Sequence, residues 1–420
     1  MIQINNKVDC CGCGACRQIC PKQCISMVED KEGTPYPKVD IATCMNCKLC
    51  EKVCPIIHVK ETTLPDDVLT YAAINKNHEQ RASSSSGGVF QKIAEYTILQ
   101  GGVVFGARFD DNWEVVHDKA CTLEEIEPLK RSKYVQSDTC NTFSEAKEIL
   151  KQGRLVTYVG TPCQIAGLRQ FLCKEYENLI CISLICHGVP SRGVWRRYIE
   201  EIKFRSERSA VDGKNTVLYP PKSKPIITNI NFREKQNGGY RWQKYGFVVH
   251  IKSSSKGDKD SVFWSHYAWK EPFMLSFLRD YILRPSCFHC KFRNGSSHSD
   301  LIIADFWGIE HKCDDPDFAS DKGTTWVIVT SAKGESFFEN IDVKKLKFMF
   351  KDGKWANISI YVNPRKPKSS VIYHFLLRFF SVETTLKMTE PFNTIERWYI
   401  KKMRKFKTLV WNILKRLGLK

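Results

Sequence analysis

The chain has 420 residues, 42% hydrophobic and 26% charged, ordinary for a globular protein and enough for two or three domains. Its net charge is +18, but residues 394–420 hold nine Lys/Arg against one Glu, a local +8 that leaves +10 on the rest. Charge gathered on one tail does not describe the aromatic-studded basic groove of a nucleic-acid binder, and no apolar run approaches the ~18 residues of a membrane span.

The 19 cysteines are the unusual feature. The opening Met1-Ile2-Gln3-Ile4-Asn5-Asn6 lacks the charged and apolar regions of a signal peptide, so a reducing, cytoplasmic setting is expected, where cysteines serve as metal ligands more than as disulfides.

Residues 1–60 are Cys-rich and punctuated by Gly and Pro. Cys10-x2-Cys13-x2-Cys16-x3-Cys20-Pro21 is repeated by Cys44-x2-Cys47-x2-Cys50-x3-Cys54-Pro55. Three close cysteines on one loop wrap one side of a cubane, and the fourth must arrive from elsewhere. The pattern resembles bacterial two-cluster ferredoxins, in which the fourth cysteine of each run ligates the other cluster. That assigns Cys10, Cys13, Cys16 and Cys54 to one 4Fe-4S cluster, and Cys44, Cys47, Cys50 and Cys20 to the other. Paired zinc sites are the rival, but zinc does not require two identical runs ending in Cys-Pro. Cys11 and Cys24 fall outside the pattern and read as spectators.

A polar, Pro-containing stretch at residues 61–67 reads as a linker. Beyond it, strands are expected at Val68–Asn75, Gly102–Phe109, Leu155–Val159 and Leu179–Ile185, and helices at Val89–Leu99 and Gln164–Lys174. Strand–helix–strand with short connections implies a parallel pair. Residues 201–260 are polar and give no clear period. The expected class is α+β (mixed α/β): a ferredoxin-like domain at 1–60, a flavin-binding α/β domain at 65–390 and an amphipathic helical tail at 391–420.

Three stretches of the main domain carry chemistry. Ser83-Ser84-Ser85-Ser86-Gly87-Gly88 precedes the Val89 helix, and hydroxyls with free N–H groups at a helix N-terminus suit an anion, although a solvated turn is the commoner use. Cys163 follows the Leu155–Val159 strand at a helix N-terminus, and Cys186 and His187 follow the next strand. Both lie at the carboxyl edge, where open α/β sheets bind ligands. Cys287 and Cys290 precede the strand-like Ser299 to Gly308. A cluster on Cys163, Cys186, Cys287 and Cys290 and a nucleophilic Cys163 with His187 as base are equally compatible with the spacing. Asp305 is the other candidate catalytic side chain. Cys121, Cys140, Cys173, Cys181 and Cys313 have no motif around them and read as small buried hydrophobes.

From Ile395 the tail places Tyr399, Met403, Phe406, Val410, Ile413 and Leu417 on one helical face, with Lys and Arg filling much of the rest. A solvated helix docked on its own domain and peripheral contact with the inner face of an anionic membrane are both expected uses.

Ser84 to Phe90, Ser132 to Ser137, Gly160 to Gln164, Cys186 to Ser191 and Asp300 to Gly308 together resemble the coenzyme F420 hydrogenase/dehydrogenase beta subunit family. The resemblance implies FAD, a 4Fe-4S cluster beside it on Cys163, Cys186, Cys287 and Cys290, and flavin contacts at Ser83–Gly88, Lys133, Tyr134, Gln136, Thr161 and Gln164. It further implies exchange with a ferredoxin-type donor or acceptor and with coenzyme F420 or another two-electron partner. The alternative is a non-catalytic electron-transfer subunit feeding a larger redox complex.

Overall fold

The computed structural model describes residues 1–208, 226–236, 239–252 and 261–395 of the chain. Residues 1–60 contain only short elements. The helices Ala15–Gln18 and Leu49–Lys52, four residues each, carry the third cysteine of each run, and both start from a left-handed residue, Gly14 at φ 77° and Lys48 at φ 60°. Gly12 and Asn46, two residues earlier in each run, are also left-handed, at 70° and 51°. Between the runs, β1 (Ile25–Glu29) and β2 (Pro35–Val39) form an antiparallel hairpin from Ile25↔Val39 to Glu29↔Pro35. Pro35 and Pro37 offer no ladder N–H, which a two-stranded ribbon tolerates because every strand in it is an edge.

The stretch expected as a linker is tied down. Thr62 N–H donates to the Ser296 hydroxyl at 2.9 Å, and that hydroxyl donates to the Thr62 carbonyl at 3.1 Å. His298 Nε2 meets the Lys60 carbonyl at 2.9 Å, and Leu64 is buried.

The main body contains β3 (Thr70–Asn75), β4 (Val103–Phe109), β5 (Val115–Ala120), β6 (Val156–Gly160) and β7 (Leu179–Leu184). A separate antiparallel sheet follows, of β8 (Ile226–Glu234), β9 (Gly246–Lys252) and β10 (Ser261–Tyr267). Then β11 (Leu301–Asp305), β12 (Thr325–Val329) and β13 (Val343–Phe348) rejoin the first sheet, whose eight strands lie in the order β13-β3-β12-β11-β7-β6-β4-β5. β4, β6, β7 and β11 are parallel at its centre, whereas β5 on one side and β12, β3 and β13 on the other pair antiparallel.

The helices α1 (Val89–Leu99), α2 (Thr142–Lys151), α3 (Pro162–Leu172), α4 (Arg192–Arg208) and α5 (Ala332–Glu339) cover the sheets. The expected parallel pair is β6 and β7, in register from Val156↔Leu179 to Gly160↔Ser183. Every residue of β6 is buried, and α3 starts sharply because Thr161 and Gln164 close a capping box with Pro162 in the first turn. β8 and β9 lie in the stretch without a readable period, and β10 follows directly after it. Register shifts between Ile227 and Asn229, Asn231 and Glu234, and Val262 and Trp264 break the alternation that marks a strand.

Phe143 of α2 and Ile165, Ala166, Leu168 and Phe171 of α3 share one buried core with Cys11, Cys13, Ala15 and Val53, so the cysteine-rich region is seated on the α2–α3 layer. Val89 and Ile93 of α1 pack with Phe337 and Phe338 of α5 in a separate core against the sheet. Residues 382–395 are helical, and the tail that follows, expected as an amphipathic helix, lies outside the described residues.

Candidate metal centre

The two cysteine runs exchange their last members. Cys20 lines one small cavity with Cys44, Cys47 and Cys50, the outer set, whose Cys47 is exposed. Cys54 instead faces Cys10, Cys13 and Cys16, the inner set, in which Cys10 and Cys13 are buried. Burial, and then the neighbouring Cys10 and Cys54, push the Cys16 thiol up to about 12. Burial raises Cys54 as well, against the N–H groups of Ile57 and Ile56 that favour its thiolate. Ile2 N–H donates to Cys50 Sγ at 3.2 Å.

Thiols that oppose one another's ionisation, yet receive backbone N–H donors, are arranged for a cation among them that removes their protons. Among the described residues no three His, Cys, Asp or Glu converge on a single-ion position. A zinc site needs thiolates ~2.3 Å from one point, whereas the corners of a cubane spread its ligands around a volume. Two sets of four thiols, one from each run with the last member exchanged, meet the ligand count of two cubanes.

Cys163, Cys186, Cys287 and Cys290, the edge set, line a cavity of about 50 Å³ at the carboxyl ends of β6 and β7. Cys163 stands in the first turn of α3, Cys186 two residues past β7, and Cys287 and Cys290 in and just after the short helical turn Pro285–His289. Burial, then Cys287, Cys163 and Cys290, raise the Cys186 thiol. Burial takes Cys287 up to about 12, although Val189 N–H donates to its sulfur at 3.4 Å. The Cys163 thiol is pushed far up by its hydrogen bond to Cys11 and by burial, the opposite of an activated nucleophile. His187, its candidate base, instead meets Asp280 at 2.6 Å.

Cys11 and Cys24 are not the bystanders that the spacing implies. Cys24 lines the outer cavity, its sulfur 3.3 Å from that of Cys20. Cys11 lines the edge cavity beside Cys163. Its chain neighbour Cys10 belongs to the inner set, so one peptide unit joins two thiol sets. The signal was the doubled Cys10-Cys11, which the second run answers with Cys44-Met45.

The residues expected around a flavin scatter more widely. Ser84 Oγ donates to the Arg81 and Ser86 carbonyls, Ser86 Oγ to the Thr324 carbonyl, and Ser85 Oγ accepts from Ser132 N–H. A Cβ on Gly87 would lie 2.5 Å from the Ala73 carbonyl, so this glycine serves contact with β3. The serine side chains thus fold inward, and the anion-seeking feature here is the N-terminus of α1, which no side chain caps. Lys133 Nζ is held by the Pro128, Lys130 and Arg131 carbonyls, and burial lowers it to about 7. Gln164 Nε2 donates to Ser137 Oγ at 2.8 Å, and Gln136 Nε2 to the Cys11 carbonyl at 3.1 Å.

Asp305 accepts from Trp242 Nε1 at 2.7 Å and pairs with Arg233, whereas His187 pairs with Asp280, so the two candidate catalytic side chains have separate partners. Arg233 escaped the sequence reading because it lies in the aperiodic stretch. It is buried between Tyr245 and Trp307, beside Tyr134, and its Nε and Nη2 have no hydrogen-bond partner among the described residues. Two unmet donors on a buried guanidinium suit an anionic group of a cofactor or substrate.

Residues 153–352 match the family described as the C terminus of the coenzyme F420 hydrogenase/dehydrogenase beta subunit, and residues 9–56 match the 4Fe-4S dicluster domain. A coenzyme F420-dependent sulfite reductase of Methanocaldococcus jannaschii is 26% identical over 224 residues, covering 51% of this chain and 34% of that protein. An uncharacterized ferredoxin of the same organism is 38% identical over 52 residues, covering 12% of this chain and 66% of the ferredoxin. The chain thus spans about a third of the reductase and just under two thirds of the ferredoxin. A solved structure of the F420-reducing NiFe hydrogenase complex of Methanosarcina barkeri aligns over 88% of this chain and 95% of the matched chain. At 14% identity and a TM-score of 0.39, that likeness is too weak to bear on the fold or the function.

Proposed function

We propose that this chain, which joins a 4Fe-4S dicluster domain to the C-terminal region of a coenzyme F420 hydrogenase/dehydrogenase beta subunit, is an iron–sulfur flavoprotein oxidoreductase. It exchanges electrons between a ferredoxin-type carrier and a two-electron partner, either a deazaflavin coenzyme such as F420 or another substrate reduced or oxidised at the sheet edge. The observation that carries this reading is continuity. The outer set reaches solvent at Cys47, the inner set is buried at Cys10 and Cys13, and the Cys10–Cys11 peptide leads to the edge set.

Bound clusters carry single electrons and bound FAD carries pairs, so together they convert one kind of transfer into the other. The chain's own residues position and insulate. Exposed Lys22 and Lys48 flank the outer set with positive charge suited to an acidic electron carrier. The N-terminus of α1 and the free edge of Arg233 offer donors to flavin phosphates or to an anionic substrate. Anaerobically purified full chain should hold about twelve irons, as three cubanes, and one FAD. Eight irons with FAD would remove the edge cluster from the reading. Absence of flavin from a fully loaded protein would move the two-electron chemistry to a partner.

That second reading, an electron-transfer subunit of a larger complex, is favoured by one surface. Val371, Phe375 and Phe379 stand 72%, 57% and 65% exposed at four-residue spacing from the helix Ser370–Leu376 onward. Phe392 and Ile395 add 50% and 65% exposed on the helix of residues 382–395. Large apolar side chains left exposed at helical spacing mark a contact surface. Turnover of a small substrate by the isolated chain supports the enzyme, and turnover only with a co-purified larger protein supports the second reading. We further propose that the basic tail at 394–420 meets an anionic membrane, each basic residue adding ~1 kcal/mol near such a surface. The full chain should float with anionic liposomes, and a 1–390 truncation should not.

A further inference from the structure

Three guanidinium groups are buried in the described structure, on Arg81, Arg233 and Arg284. Arg81 donates to oxygens only, the Gly323 and Asp317 carbonyls and the Ser320 hydroxyl. Arg233 pairs with a carboxylate, Asp305. Arg284, 1% exposed, differs from both. Its Nη2 donates to Cys10 Sγ at 3.3 Å and to the Pro35 carbonyl at 2.9 Å, and its Nε donates to the Cys10 carbonyl at 2.7 Å. Nη1 donates to Gln136 Oε1 at 3.0 Å, and the group lies 4.6 Å above the Tyr36 ring. Among the described residues no Asp or Glu forms an ion pair with it.

A full positive charge, removed from water and given no carboxylate, is expensive unless another anion lies against it. The atom against it is the sulfur of an inner-set cysteine. The backbone is built around this contact. Gly12 is left-handed at φ 70°, and a Cβ there would come within 2.6 Å of Arg284 Nη1. Arg284 also opens the turn that carries Cys287, whose N–H donates to the Arg284 carbonyl at 2.9 Å.

We propose that Arg284 is a positioning residue whose guanidinium is the fixed counter-charge of the inner cluster, making electron transfer from the outer cluster to the inner one downhill. The step moves one electron from the reduced outer cluster to the oxidised inner cluster, with no proton and no bond made or broken. The reduced inner cluster carries one more negative charge than the oxidised one. A nearby buried cation therefore stabilises it selectively and raises its reduction potential. The cations beside the outer set, the Met1 ammonium and Lys48, are exposed, so solvent screens them where Arg284 is not screened.

This rests on the ligand assignment of the proposed function, and the experiment separates the two. Full-length protein, purified anaerobically, is titrated redox-wise with EPR detection of each cluster, alongside iron analysis. Arg284→Gln should keep its iron and lower the inner midpoint enough to shift the electron partition between the clusters at least tenfold, about 59 mV for one electron. The outer midpoint should stay unchanged. Arg284→Lys, which keeps the charge, should shift the partition by less than half as much on the logarithmic scale. Gln136→Glu, which sets a carboxylate against the same guanidinium without changing volume, should lower the inner midpoint too, and it decides the matter if Arg284→Gln does not fold. An iron-replete Arg284→Gln or Gln136→Glu protein with an unmoved inner midpoint overturns the proposal, as does an equal fall in Arg284→Lys. Cys10→Ser is the control on the assignment: if it leaves both signals and the iron content intact, Cys10 is no ligand, and the ligand reading fails first.

Discussion

The two cysteine runs have the same spacing and nearly the same backbone, yet they live in different media. At the two left-handed positions the first run uses Gly12 and Gly14, and the second uses Asn46 and Lys48. A left-handed non-glycine residue costs roughly 1 kcal/mol. The second run bears that cost because its side chains have room in solvent. The first run has no room. A Cβ at Gly12 would lie 2.5 Å from Gln136 Nε2, and one at Gly14 would lie 2.5 Å from Thr139 Oγ1. A motif repeated by sequence thus becomes two sites of different character once one copy is pressed into a neighbouring fold. A buried cation belongs to one, and solvent-exposed cations to the other.

The comparison breaks most severely if the exchange of fourth cysteines is wrong. Cys54→Ser should cost the inner cluster, about four irons by its cubane stoichiometry, and leave the outer one in place; Cys20→Ser should do the reverse. EPR of the two anaerobic variants decides it, because loss of the cluster from the same run in each case would mean that the runs are self-contained.

A graft between the runs tests the packing argument more gently. Gly12→Asn gives the first run the residue type of the second, which tolerates the left-handed backbone but brings a Cβ against Gln136 and Arg284. Overpacking of this kind costs ~1–3 kcal/mol and should speed loss of the inner cluster in denaturant. Asn46→Gly should leave the outer cluster's lifetime within about twofold, since a surface substitution stays within ~0.5 kcal/mol. Equal sensitivity of the two sites would show that burial does not distinguish them.

The smallest effect separates the two supposed bystanders. Cys11→Ala and Cys24→Ala each remove one sulfur, for ~1 kcal/mol or less of stability. Cys11→Ala should perturb the EPR signal of the edge cluster and spare the outer one, and Cys24→Ala should perturb only the outer one. A silent Cys11→Ala spectrum would leave the contact with Cys163 without electronic consequence.

Much of the fold was legible where burial writes a period. β6 and β7 read as strands because they are short, apolar and bounded by turns, and α3 because Thr161-Pro162-Cys163-Gln164 is a helix start. The strands β8 to β10 were illegible because bulges shift the period within each pairing, and the antiparallel partners β5, β12 and β13 because pairing across a sheet leaves no local mark. In the serine-rich loop the hydroxyls satisfy backbone groups that the fold brings near, which leaves the N–H groups at the start of α1 as the feature that suits an anion. Replacing Gly87 is therefore a poor test of flavin binding, since contact with β3 would be lost in any case.

Eight cysteines at repeated intervals were sufficient to identify iron–sulfur chemistry, because ligand spacing is a local property of the chain. Which run is buried, and which side chains face its sulfurs, was not local. Gln136, Thr139 and Arg284 lie more than a hundred residues from the cysteines they touch, and nothing in their own neighbourhoods announces the contact. A cluster's potential depends on charge and solvent within a few ångströms, and only the folded sheet brings those groups that close.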